Sequence, residues 1–151
     1  MCVSGLLNNE RQHMPALQKF QDFAEQVLRG KHDFGSHVFK VALTNTAPAA
    51  TNAVLADVTQ ISGGAYTAGG YVLEGVTLTE TGGTAKVVIT DEVIAASGGA
   101  IGPFRYAVVY NDTTSGKPLV GFSDYGSSIT INDGESLAID FDPSAGVLTL
   151  A

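Results

Sequence analysis

The stretch from Pro103 to Gly126 restricts the fold more than any other. It reads Pro-Phe-Arg-Tyr-Ala-Val-Val-Tyr, then Asn-Asp-Thr-Thr-Ser-Gly-Lys-Pro, then Leu-Val-Gly-Phe-Ser-Asp-Tyr-Gly. In an extended strand side chains alternate between two faces. Phe104, Tyr106, Val108 and Tyr110 then share one face, and Ala107 and Val109 share the other with Arg105. A strand that is apolar on both faces belongs inside a sheet and not at its rim. Asn111–Pro118 is dense in turn formers, so the chain reverses there, and Leu119–Tyr125 returns as the partner strand. The expectation is a central β-hairpin.

The segments around it read as further strands. Phe39, Val41 and Leu43 alternate with Lys40, Ala42 and Thr44. Gly pairs at 63–64, 69–70, 82–83 and 98–99 separate the strand-like pieces 71–79, 85–91 and 93–96. Ser128–Ile131, Glu135–Phe141 and Val147–Ala151 follow. The first two are joined by Asn132-Asp133-Gly134, where Asp-Gly is a hairpin signal. Thr51–Gln60 has room for one helical turn. Only Met14–Arg29 carries a helical period, with Leu17, Phe20, Ala24, Val27 and Leu28 on one stripe and Phe23 at its edge. Pro15 suits the first turn, Gly30 the left-handed position past the end, and Arg29 and Lys31 the negative pole.

About eight strands divided by turn clusters, after one helix, predict a mainly β protein: a β-sandwich or jelly-roll-like domain over residues 39–151, preceded by an arm and amphipathic helix over residues 1–38. A chain of 151 residues suits one such domain. Cys2 is the only cysteine, so packing alone must hold it. The opening residues lack a basic and then apolar secretory pattern, and no run is long enough to span a bilayer, so the expectation is a soluble product made in the cytoplasm.

Charge narrows the partners. Residues 1–40 hold five basic and four acidic side chains, whereas residues 41–151 hold three basic and eleven acidic ones. Such a body repels phosphate, which argues against nucleic-acid binding. Charged residues are only 15% of the chain, against about 25% in typical soluble domains, which fits a surface partly covered by other subunits.

Chemistry-bearing motifs are sparse. His13, His32 and His37 form no His-Glu-x-x-His pattern and find no second cysteine, so they read as ordinary linker histidines and no metal is expected. Gly63–Gly70 looks like a phosphate-cradling loop but lacks the Lys-Ser/Thr that such a loop needs, so it reads as turn chemistry with Tyr66 as an anchor. Asp140 and Asp142 lie two residues apart on one strand face and cannot flank a glycosidic bond. Neither that pair nor Asp91-Glu92 supplies enough oxygens in one loop for Ca²⁺, so both read as solvated charge at a sheet rim. No Gly-x-Ser-x-Gly elbow is present. The reading is of a protein that is not an enzyme.

Several phrases, in this order, resemble a group of small virion structural proteins of tailed bacteriophages. They are Lys40-Val-Ala-Leu-Thr-Asn-Thr-Ala-Pro48, Tyr66-Thr-Ala-Gly-Gly70, Gly102-Pro-Phe-Arg-Tyr-Ala-Val-Val-Tyr-Asn-Asp-Thr113, Asp124-Tyr-Gly126 and Asp140-Phe-Asp-Pro-Ser-Ala-Gly-Val-Leu-Thr-Leu150. The likeness spans roughly residues 16–151. Members often carry Gly-Asn-Gly-Tyr where Gly63-Gly64-Ala65-Tyr66 stands here, which bears on that turn and not on the fold. The resemblance implies a capsid decoration (cement) protein on the outside of the head, with the major capsid protein and copies of itself as partners, a homotrimer as the expected assembly, and no cofactor, catalytic residue or membrane. On this reading residues 1–38 dock, and removing residues 1–30 would abolish particle binding and leave a folded β domain. Leu17, Phe20, Phe23 and Val27, with Arg105 and Tyr110 of the hairpin, are the candidate interface residues. The alternatives are a tail-side adaptor or fibre-base protein, and a glycan-binding module stacking sugars on Tyr66, Tyr71 and Tyr125, which the absence of Trp weakens.

Overall fold

The computed structural model describes residues 11–13 and 17–151. The protein is mainly β, built from three sheets. The strands are β1 (Arg11–His13), β2 (Gln18–Lys19), β3 (Phe39–Thr44), β4 (Tyr71–Val72), β5 (Thr77–Thr81), β6 (Thr84–Val88), β7 (Glu92–Ala95), β8 (Ile101–Asn111), β9 (Leu119–Ile131), β10 (Ser136–Asp140) and β11 (Leu148–Leu150). A short helix, α1 (Phe23–Leu28), follows β2, and a 3-10 turn covers Leu55–Asp57.

The expected hairpin is the centre of the molecule. β8 pairs antiparallel with β9, and with β3 on its other side, in a five-stranded sheet of order β2-β9-β8-β3-β4. Its inner face (Phe39, Val41, Leu43, Ala107, Val109) joins the main core with residues of the two smaller sheets, β11-β6-β5 and β1-β10-β7, among them Val87, Ile94, Leu137 and Ile139. Its outer face carries a second cluster of Phe20, Ala42, Val108, Tyr110 and Leu119, roofed by Leu55 and Val58. A strand buried on both sides is therefore what β8 is.

Phe104 departs from simple alternation. Register shifts on either side of it, between Ile101 and Phe104 and between Phe104 and Tyr106, break the pleat and turn Phe104 into the main core, while Val108 and Tyr110 face outward. Bulges of this kind re-aim a side chain.

The helix is shorter than its period predicts. Met14–Ala16 lie outside the described residues; Leu17–Phe20 is extended, with Gln18 and Lys19 paired to Phe122 and Gly121 of β9, and α1 begins only at Phe23. Gly121 explains the outcome. A Cβ there would lie 2.7 Å from the Gln18 carbonyl oxygen and 2.8 Å from Leu17 Cγ, so the missing side chain admits a strand against β9. Covering that sheet edge outweighs a modest helix propensity. Gly30 takes the left-handed conformation expected past the helix end, at φ +74°.

The described part of the front segment packs into the body. Phe20 is 2% and Phe23 8% exposed, each within a core cluster. Deleting residues 1–30 removes core side chains, so that truncation tests folding and not docking alone. Asn132-Asp133-Gly134 does turn the chain, closed by the Glu135 N–H donating to the Asn132 carbonyl at 2.9 Å. It does not make a hairpin: β9 stays in the five-stranded sheet, and β10 pairs with β7 and β1. A turn dictates reversal, while the choice of partner strand belongs to the apolar faces on either side.

Candidate functional site

The stripe of α1 is only partly covered. Phe23 points into the core and Val27 is half-buried, whereas Ala24 is exposed and Leu28 stands 87% exposed. Glu25 and Arg29 pair across one turn at 2.7 Å on the solvent side, which contributes only about 0.3–0.5 kcal/mol. Facing the stripe is one side of the β11-β6-β5 sheet. Leu78, Val87 and Leu148 are register partners there and form an apolar row, with Ala85 opposite Leu150 in the next. Leu78 is 50% and Leu150 67% exposed. Between helix and sheet runs an open apolar groove of about 600 Å³, with Lys19 and Asp33 among its borders and His32 on its wall. Its walls are mostly apolar, with Lys19, His32, Asp33 and Thr149 the polar residues among them.

The linker behind α1 is pinned to the β8–β9 turn through Asn111, which is fully buried. Its Oδ1 accepts the backbone N–H groups of Thr113 (2.9 Å) and Thr114 (3.2 Å), which fixes the orientation of the amide. Its Nδ2 therefore faces the linker, 3.0 Å from the Lys31 carbonyl, 3.3 Å from His32 Nδ1 and 3.0 Å from His37 Nδ1. Thr114 Oγ1 donates to the same Lys31 carbonyl, Thr113 Oγ1 accepts the Val38 N–H, and the Asp112 N–H donates to the Val38 carbonyl. The His32 ring packs among Phe23, Phe34 and Phe39, with centroids 5.2–6.2 Å away. Burial, with the nearby His37 adding to it and Asp22 opposing it, lowers its pKa to about 4.

Of the candidate interface residues, Phe20, Phe23 and Tyr110 serve the chain's own packing. Phe20 lies against Phe122 at 5.2 Å. Tyr110, 1% exposed, donates its hydroxyl to the Gly69 carbonyl, and burial pushes its pKa up to about 12. Leu17 is half-buried against the main core. Val27 reaches the groove. Arg105 lies on the surface, held by Asp124 through Nε (2.7 Å) and Nη2 (3.1 Å) and lying 5.4 Å from the Tyr106 ring centroid. Arg105, through hydrogen bonding, keeps the Asp124 carboxyl below its usual range. Leu28 belongs to the stripe seen in the sequence, but Leu78 and Leu150 gave no signal, Leu78 being one leucine among polar residues and Leu150 the end of a three-residue strand.

The Gly63–Gly70 loop has several of its amides engaged. The Ala65 N–H donates to the Ala100 carbonyl, that of Gly69 to Gln60 Oε1 and that of Gly70 to the Thr67 carbonyl. Tyr66 anchors it as expected, 7% exposed, its hydroxyl donating to Gln60 Oε1 at 2.6 Å and accepting the Leu43 N–H at 3.2 Å. Turned inward, Tyr66 offers no face to a sugar. The acidic residues hold backbone: Asp91 accepts the Phe141 N–H, and Asp142 those of Ser144 and Ala145. Among the described residues no three His, Cys, Asp or Glu side chains converge as a metal site, and no helix is long and apolar enough to cross a membrane.

No protein-family model, curated protein or solved structure matches this chain.

Proposed function

We propose that this protein is a structural component of a tailed-bacteriophage virion: a decoration protein of β-sandwich, jelly-roll type that binds the outside of the head as a homotrimer and stabilises the shell. The observation that carries this reading is the open apolar groove of α1 and the β11-β6-β5 sheet, with Leu28, Leu78 and Leu150 exposed around it. It offers mostly apolar contact area, on a chain whose phrases resemble such proteins in order. A protein that binds the assembled shell better than its dissociated parts stabilises the shell by mass action. Three linked copies multiply modest contacts through effective concentration, so each groove need bury only a few side chains of the major capsid protein.

The test is binding to particles that lack the protein, with light scattering giving the oligomeric state in solution. Leu28→Glu places a charge at a position already 87% exposed. Its stability stays within about 0.5 kcal/mol of the parent, while particle binding falls at least about tenfold, a loss of about 1.4 kcal/mol. Undiminished binding by a folded Leu28→Glu protein removes the groove from the interface. Immunogold labelling of intact virions on the tail instead of the head replaces this reading with that of a tail-side adaptor or fibre-base protein.

A further inference from the structure

Three acceptors converge on one amide nitrogen in the linker. Asn111 Nδ2 carries two hydrogens and faces the Lys31 carbonyl, His32 Nδ1 and His37 Nδ1. The amide cannot turn over, because Oδ1 already accepts two backbone N–H groups. His37 Nδ1 also accepts the Asp33 N–H, at 3.2 Å. A proton on His32 Nδ1 would set donor against donor, so the closed arrangement calls for a neutral His32 ring with its hydrogen on Nε2. For His32 that nitrogen is buried and without a hydrogen-bond partner. A cation on the ring would sit among three phenylalanine rings with one wall of the cavity open to an apolar groove.

From this geometry we infer that residues 31–38 form an acid-released latch, closed while His32 is neutral and opened by its protonation, which frees the linker and α1 from the β8–β9 turn. The charged and titratable groups around His32 are Asp22 ahead of α1, Lys31, Asp33 and His37 on the linker, and Lys19 of β2 bordering the same groove. β3 and β8 face it with Phe39 and Asn111. Asp22 favours the cation, and burial and His37 oppose it more strongly. The direction follows by linkage. With the folded value near 4 and the ordinary value 6.5, the released state binds more protons between those limits. Closure is therefore fully favoured above pH 6.5 and weakens as pH falls toward 4. The inference does not depend on the proposed virion role.

Backbone hydrogen exchange on the full chain, corrected for intrinsic rates, tests it at pH 7.5 and pH 5.0. Protection at Asp33, Val38 and Thr113, whose N–H groups bond within the latch, is expected to fall at least about tenfold at pH 5.0. Protection at Val41 and Val109, in the central β3–β8 pair, stays unchanged. Nitrogen shifts should show the His32 proton on Nε2 at pH 7.5. Asn111→Asp, which puts an acceptor in place of the donor, reverses the trend, and His32→Phe removes most of it. A protonated His32 Nδ1 at pH 7.5, or latch amides equally protected at both pH values, overturns the inference. So does loss of protection at Val41 and Val109 to the same extent as in the latch. These wild-type readings decide the matter even where a variant does not fold.

Discussion

Gly70→Ala is expected to lower stability by about 2–5 kcal/mol, seen as a large drop in the guanidinium midpoint with an unchanged slope. Two effects add. Gly70 has φ +76°, a conformation that costs an L-residue about 1–2 kcal/mol. A Cβ there would also lie 1.9 Å from the Val41 carbonyl oxygen and 2.9 Å from Ala42 Cα. Val41 and Ala42 belong to β3, locked between β8 and β4, so the obstacle is backbone that cannot step aside. Overpacking against such an obstacle costs roughly another 1–3 kcal/mol. Gly82→Ala is the control: φ is +60° and a Cβ would meet nothing within 4 Å, so only the conformational cost of about 1–2 kcal/mol remains. Equal losses for the two substitutions would mean that the loop does not lie against β3.

Asn111→Leu is the second large effect, at about 3–5 kcal/mol. The side chain is fully buried, and a leucine fills similar space without replacing any bond. The Thr113 and Thr114 N–H groups lose their acceptor, and the Lys31 carbonyl and the two imidazoles lose a donor. Each buried polar group left unpaired costs about 1–3 kcal/mol. Thr114 Oγ1 still bonds the Lys31 carbonyl, and water reaches the exposed end of the turn, so the sum stays below the full count. Thermal unfolding measures the loss. A change under about 1 kcal/mol would mean that the linker does not rest on this residue.

The sequence made β8, β9 and β3 legible because their signals are local. Apolar residues on both faces of 104–110, an eight-residue segment dense in turn formers after them and the alternation in Phe39–Thr44 each sit in one short window. Tyr66 was legible for the same reason, as a ring between two glycine steps. The misreadings arise where a distant residue decides. Leu17–Phe20 has a helical period, but Gly121 of β9 turns it into a strand. Phe104 fits the alternation of its own strand, and the irregular pairing with β9 moves it to the other face. The Asp133-Gly134 turn is real, yet β10 finds its partners in β7 and β1.

The candidate site was less legible still. Leu28, Leu78 and Leu150 come from three separate parts of the chain and meet only in the folded protein. Phe20, Phe23 and Tyr110 looked available because apolar periodicity does not distinguish a residue offered to a partner from one packed at home. Strand connectivity belongs to the same class of question, since pattern gives strands and not their order.

The grip of Asn111 on Lys31 spans 80 residues, and its contacts with His32 and His37 span 79 and 74. Closing loops of that length before any reward is collected slows folding, as it does in other proteins rich in sequence-distant contacts. The linker can settle only once the β8–β9 turn exists to receive it. During synthesis residues 31–38 therefore leave the ribosome about 80 residues ahead of the turn that receives them, and wait unfinished until it follows.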